Sequence, residues 1–270
     1  MKYIRNILFC LIAFPFLAWA DVTPPNAKST DSQIVEAAPD RLFIGADLYY
    51  QNMEYDFEPH NREFKNAFYG LDVGYEYRKP DSIYGRFELN TSWKNSKSGW
   101  RNLDSDTFNF GAEGRVGYNF SEKGLDLIPY FGFGYYQLNT PNASKISWQY
   151  PLLGFWINYA FTNYVELGLN IKMMFTINAK LHPNDLYNKG SFNLQNHFQY
   201  AIELPTTFYL DDEKKWDLRI TPYFTQKNLS GVVEHGYHNP NSQNPIPYTV
   251  SLPDLDIYQV GGRIEVGYHF

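Results

Sequence analysis

The C-terminal segment alternates between apolar and polar side chains and closes on an aromatic residue, Phe270. One register holds Tyr258, Val260, Ile264, Val266, Tyr268 and Phe270, and the other holds Gln259, Gly261, Arg263, Glu265, Gly267 and His269. Successive side chains of a β-strand point to opposite faces, so this period of two predicts a strand with one apolar and one charged face. Any fold of the chain must therefore give that apolar face an apolar environment.

This terminal strand resembles the C-terminal signal of bacterial outer-membrane β-barrel proteins. In that signal, alternating apolar residues lead to a closing aromatic residue that the barrel assembly machinery reads. Tyr268 and Phe270 match it here. The resemblance implies a transmembrane barrel and the assembly machinery as a partner, and it implies nothing about activity.

The N-terminal residues predict a secretory signal peptide over 1–20. Lys2 and Arg5 precede an uncharged stretch, and Ala18 and Ala20 supply the small residues of a cleavage site. A spanning helix is the alternative, but the apolar part is shorter than the ~20 residues that such a helix needs. Cys10, the only cysteine, falls inside this segment. The mature chain therefore has no disulfide or thiolate metal site.

The charge and the aromatic content of the mature chain exclude one partner and favour a membrane. Removing Lys2 and Arg5 from the 23 basic residues leaves 21 against 29 acidic residues, a net charge of −8. Nucleic acid is excluded as a partner, because neutralising phosphates requires a basic surface. The aromatic fraction of 19% is combined with a negative mean hydropathy. This combination is typical of strands that face lipid on one side and water on the other, with aromatic girdles at both interfaces.

The chain after the signal divides into a flexible N-terminal leader at 21–40, which is polar and contains a Pro pair, and one domain at 41–270. The period-two pattern predicts about ten strands in that domain. They lie near 42–52, 67–78, 83–94, 107–120, 128–138, 148–161, 164–175, 194–209, 216–227 and 255–270. Eight or twelve strands remain alternatives, because Pro129 and Pro151 fall in the region with the weakest alternation.

In each predicted strand, one register contains no Asp, Glu, Lys or Arg and is rich in Phe, Tyr, Leu and Ile. The opposite register contains many of the glycines, including Gly70, Gly74, Gly132 and Gly134. Large residues fit the outside of a small barrel and small residues fit its narrow lumen. The sequence therefore predicts an all-β fold, a closed antiparallel up-and-down transmembrane barrel similar in architecture to the small OmpA/OmpX-type class. A secreted lipocalin-like binder is the alternative.

The connections between the predicted strands set the orientation. Four of them are short, at Lys79–Ser82, Ser121–Asp126, Thr162–Asn163 and Asp211–Lys215. The intervening connections, near 53–66, 95–106, 139–147, 176–193 and 228–254, are longer. Outer-membrane barrels have short periplasmic turns and longer extracellular loops. The pattern thus predicts periplasmic termini and a bacterial outer-membrane location.

The lumen register carries opposite charges two residues apart, all toward the periplasmic ends of the strands. These pairs are Glu76/Arg78, Arg86/Glu88, Glu113/Arg115, Asp217/Arg219 and Arg263/Glu265, and Glu166 and Glu203 fall at the same level. We expect the twelve side chains to form one layer across the lumen. The layer is either a plug in which every buried charge has a partner or an electrostatic gate. Near-equal numbers of the two signs favour the plug, because selective pores present an excess of one sign.

No catalytic residue, metal ligand or cofactor site is predicted. Omptin proteases use an Asp-Asp pair and a His-Asp pair at the extracellular rim, whereas Asp211 and Asp212 fall in a predicted periplasmic turn. Ser-His enzymes of this membrane are not matched, since His197 is expected to face the lumen without a serine two residues away. Glu234–His238 contains two imidazoles three residues apart, but a solvated loop is the simpler interpretation of this segment.

The sequence therefore predicts a small outer-membrane barrel with a charge-plugged lumen and a structural or surface-interaction role through its extracellular loops. A narrow ion-conducting channel is the first alternative, and an enzyme at the barrel rim is the second. The expected partners are outer-membrane lipid, lipopolysaccharide, the assembly machinery and an extracellular ligand of the loops.

Deleting Phe270 tests the resemblance of the terminal strand. We expect the truncated chain to accumulate unassembled, because the closing aromatic residue of the signal is lost, whereas removing the loop residue Asn241 leaves assembly intact. Heat-modifiable migration on gels of outer-membrane fractions measures assembly. Normal insertion of the chain that lacks Phe270 would contradict the resemblance of the terminal strand to the assembly signal.

Overall fold

The computed structural model describes residues 38–57, 60–94, 107–139, 145–182, 192–194, 197–229, 233–238, 246–251 and 254–270. The predicted signal peptide with Ala18 and Ala20, and the leader up to residue 37, lie outside these residues. The backbone of these residues forms fifteen strands. In chain order they are β1 (Asp40–Phe57), β2 (His60–Arg78), β3 (Ser82–Lys94), β4 (Thr107–Glu122), β5 (Leu125–Asn139), β6 (Lys145–Ala160), β7 (Val165–Phe175), β8 (Ile177–His182), β9 (Phe192–Asn193), β10 (Phe198–Glu203), β11 (Thr206–Tyr209), β12 (Trp216–Leu229), β13 (Val233–His238), β14 (Ile246–Ser251) and β15 (Asp254–His269).

Thirteen of these strands form one antiparallel sheet that closes on itself as a ten-stranded barrel, because some strands of the barrel consist of two consecutive segments. The first strand pairs with the last, from Arg41 opposite His269 to Asp56 opposite Asp254. β7 and β8 follow each other along one strand of the barrel, and β10 and β11 along another. Within the described ranges, β13 pairs with β14 in a separate two-stranded sheet. The prediction of a closed ten-stranded antiparallel barrel is confirmed.

Short turns close one end of the barrel, which we call the turn end, and the opposite end is the loop end. The turn between β4 and β5 has Lys123 at φ 51° and Gly124 at φ 81°. Two consecutive positive φ values are typical of a type I′ turn, whose twist matches that of the two strands it joins. Both ends of the barrel chain meet at the turn end, where the Phe270 amide donates to the Asp40 carbonyl at 3.1 Å.

The strands at the loop end are longer than the sequence pattern predicted. β1 continues to Phe57 and β2 starts at His60, so most of the predicted loop at 53–66 is a hairpin. Polar residues occupy both registers there, which hides the period of two. Similarly, part of the predicted loop at 228–254 pairs as β13 and β14.

The predicted loop at 176–193 also begins as a strand. β8 pairs with β6 through a register shift between Ser147 and Gln149, and Asn178 has φ 51°. Before this irregularity the buried side chains are at even-numbered positions, Met174 and Thr176. After it the buried side chain is at an odd-numbered position, Ala179. An extra residue in one strand has this effect, and it breaks the alternation that the sequence pattern depends on.

The outer surface is apolar. Aromatic side chains are exposed near the turn end, as at Phe120, Trp216 and Phe270, and near the loop end, as at Tyr50, Tyr69 and Phe198. Aliphatic side chains lie between them, including Leu48, Leu71, Val73 and Ile264. This arrangement is the aromatic-girdled band of transmembrane barrels. In the described part of the chain, no helix has the length and apolar character to cross a membrane.

Leu71→Arg tests the lipid-facing assignment. Leu71 is 50% exposed between the two aromatic girdles. A charge at mid-depth is expected to lower the free energy of unfolding in bilayers by about 2–4 kcal/mol. Leu125→Arg, at the turn-end rim, is the matched control and should cost about 0–1 kcal/mol. Equal losses in urea titrations of folding into bilayers would contradict the assignment.

Candidate functional site

All twelve charged residues singled out in the sequence lie in the inward register of their strands. Ten of them join Arg41, Asp72 and Lys172 in one connected set of ion pairs, which we call the charged layer. Its members are Arg41, Asp72, Glu76, Arg86, Glu88, Glu113, Arg115, Lys172, Glu203, Asp217, Arg219, Arg263 and Glu265. The layer spans the lumen from wall to wall in the half nearer the turn end.

Glu265 connects several strands within the layer. Its carboxylate accepts hydrogen bonds from Arg41 Nη1 at 3.0 Å, Arg86 Nη2 at 3.1 Å and Arg263 Nη1 at 3.4 Å. Glu76 has a similar role, since it accepts from Arg86 at 2.6 Å and from both terminal nitrogens of Arg219 at 3.1 Å. Bonds between charged groups are among the stronger hydrogen bonds, so these carboxylates hold opposite walls together.

The network continues across the barrel to the far wall. Glu88 accepts from Arg86 at 2.8 Å and from Arg115 at 3.0 Å. Arg115 also donates to Glu113. The ammonium of Lys172 lies 3.4 Å from Glu113 and 3.0 Å from Glu203. Acidic and basic groups therefore alternate along the whole path.

Three of the five sequence pairs are mutual ion pairs, and two are not. Arg86/Glu88, Glu113/Arg115 and Arg263/Glu265 contact each other. Glu76 and Arg78 have different partners, as do Asp217 and Arg219. In these two cases, ion pairs between different strands replace ion pairs within one strand. This is possible because inward side chains in a small barrel reach the facing wall.

Arg78 and Glu166 belong to a separate cluster, so the expected single layer is divided in two. Arg78 Nη2 donates to Glu166 at 2.8 Å, and Asp126 lies 4.0 Å from Arg78 Nε. Glu166 also accepts from Asn158 and from the Tyr209 hydroxyl, both at 2.6 Å.

Three members of the charged layer were not singled out in the sequence: Arg41, Asp72 and Lys172. Each falls in the inward register but has no opposite charge two residues away, so a search for such pairs overlooks it. Arg41 is the most consequential omission. It donates from Nε and Nη2 to Asp217 at 2.6 and 2.7 Å and so joins β1 to β12 across β15.

His269 completes this contact at the barrel seam. Its Nε2 lies 2.9 Å from Asp217 Oδ2, and its Nδ1 lies 2.9 Å from the Ala38 carbonyl. The imidazole is 5% exposed. His269, which falls in the polar register of the predicted terminal strand, is thus buried between the two ends of the barrel chain.

Buried apolar side chains pack in the loop-end half of the lumen beside polar ones such as Gln51 and Gln259. The period-two pattern did not predict this apolar group. We call this set the apolar cluster, and it consists of Met53, Leu138, Ile146, Trp148, Leu229, Leu255 and Ile257. All seven are at most 4% exposed. On β1, β5, β12 and β15 the same inward register carries charged residues nearer the turn end, so on those strands only depth in the barrel distinguishes the two kinds of residue.

One small cavity lies inside the charged layer among the described residues that line the lumen. It has room for about one water molecule. The side chains around it include Arg115, Trp156, Glu203, Arg219 and Arg263. A pore would require a continuous path through both the charged layer and the apolar cluster.

The candidate catalytic and metal residues are dispersed. Asp211 accepts from the backbone amides of Lys215 and Trp216, both at 2.9 Å, and these bonds hold the pKa of Asp211 below its usual range. His197 is exposed rather than lumen-facing, because it precedes β10 and lies outside regular strand alternation. Glu234–His238 falls in β13, whose side chains lie outside the description. No group of three or more His, Cys, Asp or Glu side chains among the described residues is arranged for a metal ion.

Comparison with known proteins shows similarity at the level of fold. No protein-family model and no curated protein sequence matches the chain. The outer-membrane protease OmpT from Escherichia coli superposes with a TM-score of 0.53 at 10% identity, covering 90% of this chain and 100% of OmpT. The fold is that of an outer-membrane β-barrel.

Other solved barrels superpose less well. The translocator domain of the autotransporter NalP from Neisseria meningitidis has a TM-score of 0.39 at 14% identity, covering 100% of this chain and 97% of that chain. The toluene transporter TodX from Pseudomonas putida has a TM-score of 0.32 at 7% identity, covering 88% and 91%. At these TM-scores the similarity carries no argument about function. The more specific resemblance to the OmpA/OmpX-type class stays a prediction.

Glu265→Gln tests whether the charged layer holds the barrel together. The substitution keeps the shape but leaves three guanidinium groups without a shared carboxylate. We expect a loss of about 3–5 kcal/mol in the free energy of unfolding, and less where water enters the lumen. Glu122→Gln, whose side chain is 83% exposed, should leave urea midpoints unchanged. Wild-type stability of the Glu265 variant would contradict the structural role.

Proposed function

We propose that the protein is a bacterial outer-membrane barrel with a closed lumen, which acts as a scaffold for surface-exposed loops. The observation that carries this proposal is the double closure of the interior. The charged layer spans the turn-end half, and the apolar cluster packs in the loop-end half. A stable barrel of this kind anchors extracellular segments without conducting ions.

The composition of the charged layer supports closure over conduction. It contains seven acidic and six basic side chains, joined by ion pairs of at most 4.0 Å. Rings of one sign select ions in pores, whereas alternating signs hold each other in place. Breaking such a buried pair leaves an unpaired charge, so the closed arrangement resists opening.

The orientation follows from the connections. With the turn end in the periplasm, the long connections and the β13–β14 hairpin lie outside the cell. They are the part of the chain that an extracellular ligand would contact. The apolar band and its two aromatic girdles face outer-membrane lipid and lipopolysaccharide, and Tyr268 and Phe270 serve the assembly machinery.

A narrow channel is the second candidate, and the cavity within the charged layer favours it over an enzyme. That cavity is lined by four arginines, Arg86, Arg115, Arg219 and Arg263, together with Glu203 and Glu265. If the apolar cluster opened, this polar region would provide a route for small ions. Protease activity has no comparable support, since the likeness to OmpT is one of fold and Asp211 and Asp212 occupy a turn.

Single-channel recording of the refolded protein tests the proposal. We expect no steady current from the wild type. Arg115→Ala should produce intermittent openings, because it removes the guanidinium group that donates to both Glu88 and Glu113. Lys123→Ala, at an exposed turn, should remain silent. A wild-type barrel that conducts steadily, with Arg115→Ala changing ion selectivity and leaving stability unaltered, would make the protein a channel.

A further inference from the structure

His269, the last residue of β15, has two ring nitrogens that both face hydrogen-bond acceptors. Nδ1 lies 2.9 Å from the Ala38 carbonyl oxygen, and Nε2 lies 2.9 Å from Asp217 Oδ2. A neutral imidazole has one N–H donor and one lone pair, whereas the imidazolium cation has two N–H donors. The imidazolium is therefore the form that satisfies both contacts at once.

Asp217 accepts hydrogen bonds as a carboxylate and offers the imidazole no proton. Arg41 donates from Nε to Asp217 Oδ2 at 2.6 Å and from Nη2 to Oδ1 at 2.7 Å, which is the two-point pairing of a guanidinium with an ionised carboxyl group. The Ala38 carbonyl likewise only accepts. A neutral His269 would thus place its lone pair 2.9 Å from one of these two acceptors. The imidazole is 5% exposed, so this mismatch would be buried and costly.

Among the described residues, ionisable groups surround the ring from several elements. They are Arg41 of β1, Tyr209 of β11, Asp217 and Arg219 of β12, Glu265 of β15, and Lys214 of the turn before β12. The three cations oppose a further positive charge, whereas the two carboxylates favour it. Arg219 is already paired with Glu76, and Arg41 contacts both Asp217 and Glu265. With an imidazolium, the set of Arg41, His269, Asp217 and Glu265 contains two charges of each sign.

The charge balance of the charged layer points to the same form. The layer contains seven acidic and six basic side chains, so it is one positive charge short. Asp217 belongs to the layer and is the carboxylate that His269 contacts. Buried charges are normally retained with a partner of opposite sign. An imidazolium supplies the seventh positive charge at the turn end, where the first and last strands meet.

We propose that His269 is an imidazolium in the folded barrel and forms a charged latch at the seam. One ring N–H donates to the Ala38 carbonyl, which precedes β1, and the other donates to Asp217 on β12. The backbone amide of His269 also donates to the Lys215 carbonyl at 2.7 Å. The residue thereby joins the chain before β1 to β12 through the end of β15, and loss of its proton would release one side of the latch. The latch would operate equally in a silent and in a conducting barrel, because both need a closed seam.

Nitrogen NMR spectra of the wild-type barrel in detergent micelles test the charge of the ring directly. An exposed histidine loses its second ring proton near about pH 6.5, so it is mostly neutral at about pH 8. We expect one histidine that still has hydrogen on both ring nitrogens at that pH. Its proximity to the Tyr209 ring, with 5.9 Å between the ring centroids, identifies it as His269 without a variant. A His269 ring with a single N–H at that pH would overturn the proposal.

The pH dependence of stability provides a second test, with His269→Gln as the variant. In the unfolded chain the histidine titrates near about pH 6.5, whereas the latch retains the proton to higher pH in the folded barrel. The stabilisation is therefore complete at acidic pH and is lost as the pH rises. Above about pH 6.5, each pH unit should lower the folding equilibrium constant of the wild type by up to about tenfold relative to His269→Gln. Urea titrations of folding into bilayers of constant composition measure both proteins.

His197→Gln is the control for the other histidines. His197 is exposed and lies away from the seam, so this variant should keep the pH dependence of the wild type. A difference between the wild type and His269→Gln that stays constant with pH would overturn the latch, because it would assign His269 a neutral packing role. The wild-type spectrum decides the charge of the ring even where His269→Gln does not fold.

Discussion

The pairing of the first strand with the last is the constraint on which the rest of the structure depends. A sheet whose outer face is apolar cannot leave backbone groups unpaired at an edge in lipid, so β1 must meet β15 along its length. Side chains reinforce this seam from within. Arg41 contacts Asp217 and Glu265, and His269 contacts Asp217 and the Ala38 carbonyl. Closure then forces every inward side chain into a narrow lumen, where it must find a partner or be buried among apolar groups.

The two halves of the lumen meet this requirement differently. Charged groups fill the turn-end half, and each described carboxylate of the layer has a cation nearby. Apolar groups such as Leu138 and Ile257, both fully buried, pack together in the loop-end half. Buried ion pairs add little net stability compared with apolar packing of similar volume. They do, however, destabilise any other strand register, because a strand shifted by one residue would place a charged side chain opposite a residue that cannot pair with it.

The likeness to OmpT illustrates how little the barrel itself says about activity. The fold places ten strands around a lumen, and the chemistry depends on which side chains project inward and at the rims. Here the inward acids and bases of the charged layer are joined to one another by ion pairs. Lys227 also projects inward, and its ammonium group lies over the ring of Tyr136.

The sequence alone determined the fold class and the direction of each face. Strict alternation, as at Leu42, Ile44 and Leu48, specifies which side chains face outward, because a strand has a period of two. It also placed the twelve charges inside. Partner choice could not be read this way: Glu76 bonds to Arg219, which is distant in sequence, and Arg41 has no charged neighbour two residues away. The sequence pattern also did not predict the bulge near Asn178 or the apolar cluster, for a related reason. Alternation records the face of a side chain, whereas its depth, its partners and any register shift are decided only when the sheet closes.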